Sequence, residues 1–240
     1  MTARDEVLAR IRQANAAAGV IVGDTNQVVR DTNQMVRGTN QVVGGTNHPG
    51  AAAGYRTHGD RSLAERLDLL ADRLIDYHAT VRRCSPDGLA AEVAAALAER
   101  GARRVVVPPG LDPALLASAD AEVTVDGQPG ILGPAALDEM DAVVTGAAVA
   151  IAETGTIVLD ASPAQGRRAI TLVPDYHLCI VGADQVVELV PEAVAQLAAT
   201  ASRPLTWISG PSATSDIELE RVEGVHGPRT LVVILVSGTR

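Results

Sequence analysis

The chain has 240 residues, of which 47% are hydrophobic but only 2% aromatic, with no phenylalanine, and its net charge is −9. That length and apolar share suit one α/β domain with some appended sequence, its core built from Ala, Val, Leu and Ile. The acidic balance argues against binding nucleic acid, and the complete lack of lysine removes Schiff-base and P-loop lysine chemistry.

Residues 3–18 read as a short helix, with Val7, Leu8 and Ile11 at helical spacing. A tandem repeat of period seven follows, Asp24-Thr25-Asn26-Gln27-Val28-Val29 recurring from Asp31, from Gly38 and partly from Gly45. Its two apolar residues are adjacent, not three or four apart as a coiled coil requires, and Thr, Asn and Gly are weak helix formers. The sequence therefore divides into an N-terminal helix (1–19), a low-complexity repeat and linker (20–54) and a folded body (55–240). The N-terminus lacks an apolar run after its charges, and no stretch of about 18 apolar residues occurs. The expectation is a cytoplasmic protein without a membrane partner.

In the body, Ser62-Leu63-Ala64-Glu65 is a capping-box pattern that opens a helix to about Tyr77. Ser85-Pro86 opens a second, Ala-rich helix closed by Gly101. Arg104–Val107 reads as a strand stopped by Pro108-Pro109-Gly110. Further strands are expected at 141–146, 149–153, 156–159, 168–173, 178–181, 186–189, 205–209 and 231–236, with a helix from Pro191. The fold class is α/β, a mixed, mostly parallel sheet between helices with one irregular β-rich insertion.

Three segments sit at predicted strand ends, where open α/β sheets place ligands. In Glu153-Thr154-Gly155-Thr156 a carboxylate, two hydroxyls and a Gly share a tight turn. Glu153 is the candidate catalytic acid or base, although a plain hairpin turn uses the same residues. In Gln165-Gly166-Arg167-Arg168 one Arg would point inward to hold a carboxylate or phosphate. Downstream, Asp175 and His177 could form an oriented acid–base pair, or be a solvated loop. In the third segment Gly210, Pro211, Ser212, Thr214 and Asp216 resemble a strand-to-helix loop whose amides could bind an anion, or a simple cap. No metal-ligand spacing occurs, and Cys84 and Cys179 are too few for an ordinary iron–sulfur cluster. No bound cofactor is expected.

The ordered set Ala152–Leu159, Gln165–Arg168, Leu172–His177, Gly210–Glu218 and Gly224–Arg229 resembles the LUD domain of lactate utilization proteins, in its short C-type form. The resemblance runs from about Tyr55 to Val236, plus the first helix, and leaves the repeat outside. It implies a fold like that of sugar-phosphate isomerases and CoA transferases. It also implies partnership with two iron–sulfur subunits that oxidise L-lactate to pyruvate, the clusters belonging to those partners. The C-type subunit has no well-assigned chemistry of its own. The alternatives are a stand-alone enzyme on the same fold acting on a small anionic substrate, and a ligand-sensing module.

Overall fold

A computed structural model describes residues 56–200, 202–211 and 227–238. The N-terminal helix, the seven-residue repeat, and Ser212, Thr214 and Asp216 of the third candidate segment lie outside the described residues.

Helix α1 (Leu63–Asp76) starts at the capping box read from sequence: the Ser62 hydroxyl accepts from the Glu65 amide while the Glu65 carboxylate accepts from the Ser62 amide. Strand β1 (Thr80–Cys84) follows, then a 3-10 turn at Pro86–Gly88 and helix α2 (Leu89–Arg100). Gly101, with φ of 72°, closes α2 in the left-handed conformation that an L-residue adopts only at a cost. Ser85 makes no side-chain cap bond, so Pro86 opens the 3-10 turn and not the helix itself. Next come β2 (Arg104–Val107), β3 (Glu122–Val125), the short helix α3 (Pro134–Asp138), β4 (Ala142–Gly146), β5 (Val149–Ile151) and β6 (Thr156–Leu159). Helix α4 (Arg168–Leu172), β7 (Tyr176–Gly182), β8 (Val186–Val187), helix α5 (Val190–Leu197), β9 (Thr206–Ile208) and β10 (Thr230–Val236) complete the order.

Two sheets form. The larger, in the order β1-β10-β7-β4-β2-β3, is parallel throughout. The smaller, β8-β5-β6-β9, pairs β5 with β8 in parallel and is otherwise antiparallel. The expected β-rich insertion is this second sheet.

Central strands of a parallel sheet are buried on both faces, which is why they read as continuous apolar runs. Along β10, Val232, Ile234 and Val236 face one core cluster while Leu231, Val233 and Leu235 face another. Helix α2 covers the first face through Val93, Ala96 and Leu97. The second face packs on Leu70 and Leu74 of α1 and on Ala150, Ile157 and Leu159 of the smaller sheet. Helix α5 closes that sheet's outer side with Ala193 and Leu197.

The segment 168–173, expected as a strand, is helix α4 and an adjoining turn. A short apolar run such as Ala-Ile-Thr-Leu-Val fits either period. Here Ile170 is delivered from a helical turn onto Val106 and Val143, beside Leu137 of α3.

Candidate functional site

The Glu153-Thr154-Gly155-Thr156 turn joins β5 to β6. Gly155 has φ of 60°, and a Cβ there would fall 2.6 Å from the Cβ of Arg73, so the turn sits directly against α1. Antiparallel pairing of β6 with β9 carries the end of β9 beside this turn, which brings the first and third predicted segments together. The Thr154 hydroxyl donates to Thr156 Oγ1 at 2.8 Å, and Thr156 Oγ1 shares a further 2.8 Å hydrogen bond with Ser209 Oγ. Gly210 follows with φ of 85°, a Cβ there landing 2.8 Å from the Tyr77 carbonyl oxygen, and Pro211 ends the described strand exit. Among the described residues none of the three hydroxyls bonds a carboxylate or imidazole. The cluster therefore offers donors and acceptors, without an activated nucleophile among the described residues.

Glu153 itself is about half exposed and accepts from Arg56 Nη2 at 2.6 Å. Arg56 also reaches the Glu188 carboxylate at 3.5 Å. Glu188 is buried to 1% exposure, and it accepts from the Arg61 guanidinium and, at 2.8 Å, from the Arg61 amide. Gly59 lies so close over Glu188 that a Cβ there would overlap its carboxylate. Glu192 accepts from the amides of Gly59, Glu188 and Leu189. Burial raises the Glu192 pKa, but those three amides and the nearby Arg66 outweigh it, so the carboxyl lies below its usual range.

Sequence reading missed this acidic row. The signal for Glu188 was a lone carboxylate inside the apolar run Val186–Val190, which folding tolerates only with a cation supplied. The signal for Glu192 was its place as third residue of a helix, where a Glu reaches back to free amides.

The second predicted segment lies elsewhere, wrapped over the carboxyl ends of β2 and β4, with the amides of Gly110 and Gly146 donating to the carbonyls of Pro163 and Ala164. Gln165 is buried and its Oε1 accepts from the Asp160 amide at 2.7 Å; Gly166 turns the chain at φ of 69° against Pro108 and Ile170. Arg167 does point inward, but its partner is the protein's own Asp126, held by Nε at 2.6 Å and Nη2 at 2.9 Å, with the Leu132 carbonyl as a third acceptor. The Arg167 bonds hold the Asp126 carboxyl below the usual range. Arg168 is exposed at the start of α4.

Asp175 and His177 do not pair. Asp175 is half exposed and faces Arg229 at 3.5 Å. His177, the second residue of β7, is wholly buried, whereas Asp175 precedes the strand. Its Nε2 meets Thr145 Oγ1 at 2.8 Å, and its Nδ1 has no partner among the described residues. Burial depresses its pKa to about 4, so the ring is neutral at physiological pH. Burial likewise pushes the Cys179 thiol up to about 12 and raises that of Cys84. Both sulfurs are thus protonated and poor ligands or nucleophiles. Among the described residues no group of three or more His, Cys, Asp or Glu is placed to hold a metal ion, and no helix is long and apolar enough to cross a membrane.

With this geometry in place, a family model described as the LUD domain matches residues 135–236. The lactate utilization protein C of Deinococcus radiodurans is 50% identical over 79% of this chain and 88% of its own length. The chain belongs to the LUD-domain family of lactate utilization C proteins. The Halalkalibacterium halodurans protein of the same name is 28% identical over 74% of this chain and 82% of that protein. A crystal structure of a DUF162 family protein from Deinococcus radiodurans superposes with a TM-score of 0.64 at 45% identity, covering 75% of this chain and 100% of that one. The LUD match begins at α3 and runs through β10, so it takes in the Glu153 turn, Arg167 and buried His177, while Asp126, the partner of Arg167, lies before it.

Proposed function

We propose that the chain serves L-lactate utilization as an accessory subunit of a system that oxidises lactate to pyruvate at iron–sulfur centres held by partner subunits. The observation that carries the reading is the 50% identity to a lactate utilization protein C across 88% of that protein. The thiols support it: two cysteines cannot supply the four thiolates of an ordinary cluster, and both here are held protonated.

In this reading the functional surface is the Glu153–Thr156 turn with the exit of β9. A small carboxylate, or an acidic side chain of a partner, would replace Glu153 on Arg56 and accept a hydrogen bond from the Ser209 hydroxyl, with Thr156 donating to Ser209. Working inside the cell with soluble partners follows from the same role.

The test is affinity capture of the full, tagged chain from lactate-grown cells, with identification of co-purifying proteins, an iron assay and lactate-dependent dye reduction. Recovery of iron–sulfur proteins that reduce dye with lactate is the expected result. Recovery of the chain alone and iron-free, with lactate oxidation unchanged when it is deleted, would overturn the proposal.

A further inference from the structure

The four central strands β2, β4, β7 and β10 all end on one edge of the parallel sheet, and a crevice of about 220 Å³ opens there. None of the residues of the Glu153 turn lines it. Its floor is apolar, formed by Leu115, Ile180 and Val236. Carboxyl edges of open parallel sheets are where such folds take ligands, because strand ends and the loops after them converge there.

Two features of the crevice point to a bound group. The first is Gly146, the last residue of β4, paired in register with Ile180. Its φ is ordinary, and an added Cβ would meet only Ala164, at 3.7 Å, an unstrained contact. The protein's own packing thus accepts a side chain at 146, while glycine in a strand weakens it. What the missing side chain preserves is the open volume over Ile180. The second is charge. Among the described residues of the lining the charged ones are Asp112 and Asp184, and none is a cation. The Asp112 carboxylate is occupied capping the Ala114 amide. Asp184 leans back over the end of β7, where its Oδ1 would lie 2.5 Å from a Cβ on Gly182, and it has no donor among the described residues.

The geometry points to a binding site for a single planar, apolar ring system bearing a cationic or N–H-rich edge, the ring lying over Gly146 and Ile180 and the edge donating to Asp184. The volume is below the range of ordinary drug-sized pockets, which limits the occupant to about one ring or a fused pair. Anionic ligands, lactate included, are repelled by the acidic rim. The site therefore goes beyond the accessory-subunit role and does not rest on it; the outcome of the capture experiment leaves it untouched.

Benzamidine, benzamide and benzoate share one ring and differ in charge, so they probe the site directly. Binding to the full chain is measured by ligand-observed NMR and titration calorimetry. Benzamidine should bind, with benzamide weaker and benzoate at least about tenfold weaker than benzamidine, the equivalent of about 1.4 kcal/mol. Asp184→Asn, an exposed change that leaves the core alone, should weaken benzamidine about tenfold. Gly146→Val should abolish binding, and Gly146→Ala should weaken it while keeping the native far-ultraviolet spectrum. Failure of benzamidine to bind, equal binding of benzoate, or benzamidine affinity unchanged in Asp184→Asn would each overturn the assignment.

Discussion

His177 is a polar ring in a position that the sheet reserves for a hydrophobe. Its neighbours on the same face, Cys179 and Val181, belong to the core shared by α1 and the smaller sheet. With one nitrogen bonded to Thr145 and the other orphaned, the ring is tolerated only uncharged. This makes the residue a source of acid lability. Between about pH 6.5 and pH 4 the unfolded chain binds a proton at His177 that the folded chain refuses, so stability is complete above 6.5 and falls as pH drops through that window. The full displacement corresponds to a loss on the order of 3 kcal/mol. Urea unfolding at pH 7, 5.5 and 4.5 should show this slope in the parent. His177→Gln, which keeps a group able to bond Thr145, should lose much of it even if its stability at pH 7 is lower. Identical slopes in the two proteins would sink the account. The sequence showed a His near an Asp, but Asp175 precedes β7 and faces Arg229 at the surface while His177 lies within the strand and in the core, so proximity in sequence misled about proximity in space.

At the scale of elements, the strands of the larger sheet that were legible were the doubly buried ones, because Val, Ile and Leu runs state their burial directly. The two edge strands of that sheet were not. β1 carries Arg82 and Arg83, and β3 begins at Glu122, charges of the kind that protect sheet edges and erase the apolar signature. Arg82 is spent on Glu92 and Glu99 of α2, contacts that only the folded sheet creates. The turn at Glu153–Thr156 was legible as a turn but not as the element that locks the smaller sheet onto α1. That role makes a prediction. Gly101→Ala and Gly155→Ala both force a left-handed residue, costing about 1–2 kcal/mol each. Open space surrounds Gly101, whereas Gly155 abuts Arg73, so Gly155→Ala should cost distinctly more. Matched urea midpoints for the two variants check this; equal losses would mean that the turn yields without disturbing α1.

At the scale of the molecule, family membership and fold class were readable from ordered motifs, while the placement of the motifs was not. The candidate residues of the three segments do not meet in one place: the Glu153 turn lies with Ser209 and Gly210, Arg167 is clipped on Asp126, and His177 is buried in the core. Linear order could not reveal this, since β6 and β9 are joined across α4, β7, β8 and α5. The same non-local order has a further consequence for how the protein is made. β10 follows every other described strand in the chain yet lies between β1 and β7, with register contacts to both. During synthesis the ribosome delivers β1 well before its only sheet neighbour exists, and β7 waits with one side bare. The large sheet can close only after translation has passed residue 236. A chain halted before Thr230 should therefore be recovered as a protease-sensitive species without cooperative unfolding, exposed to chaperones for as long as the ribosome takes to finish.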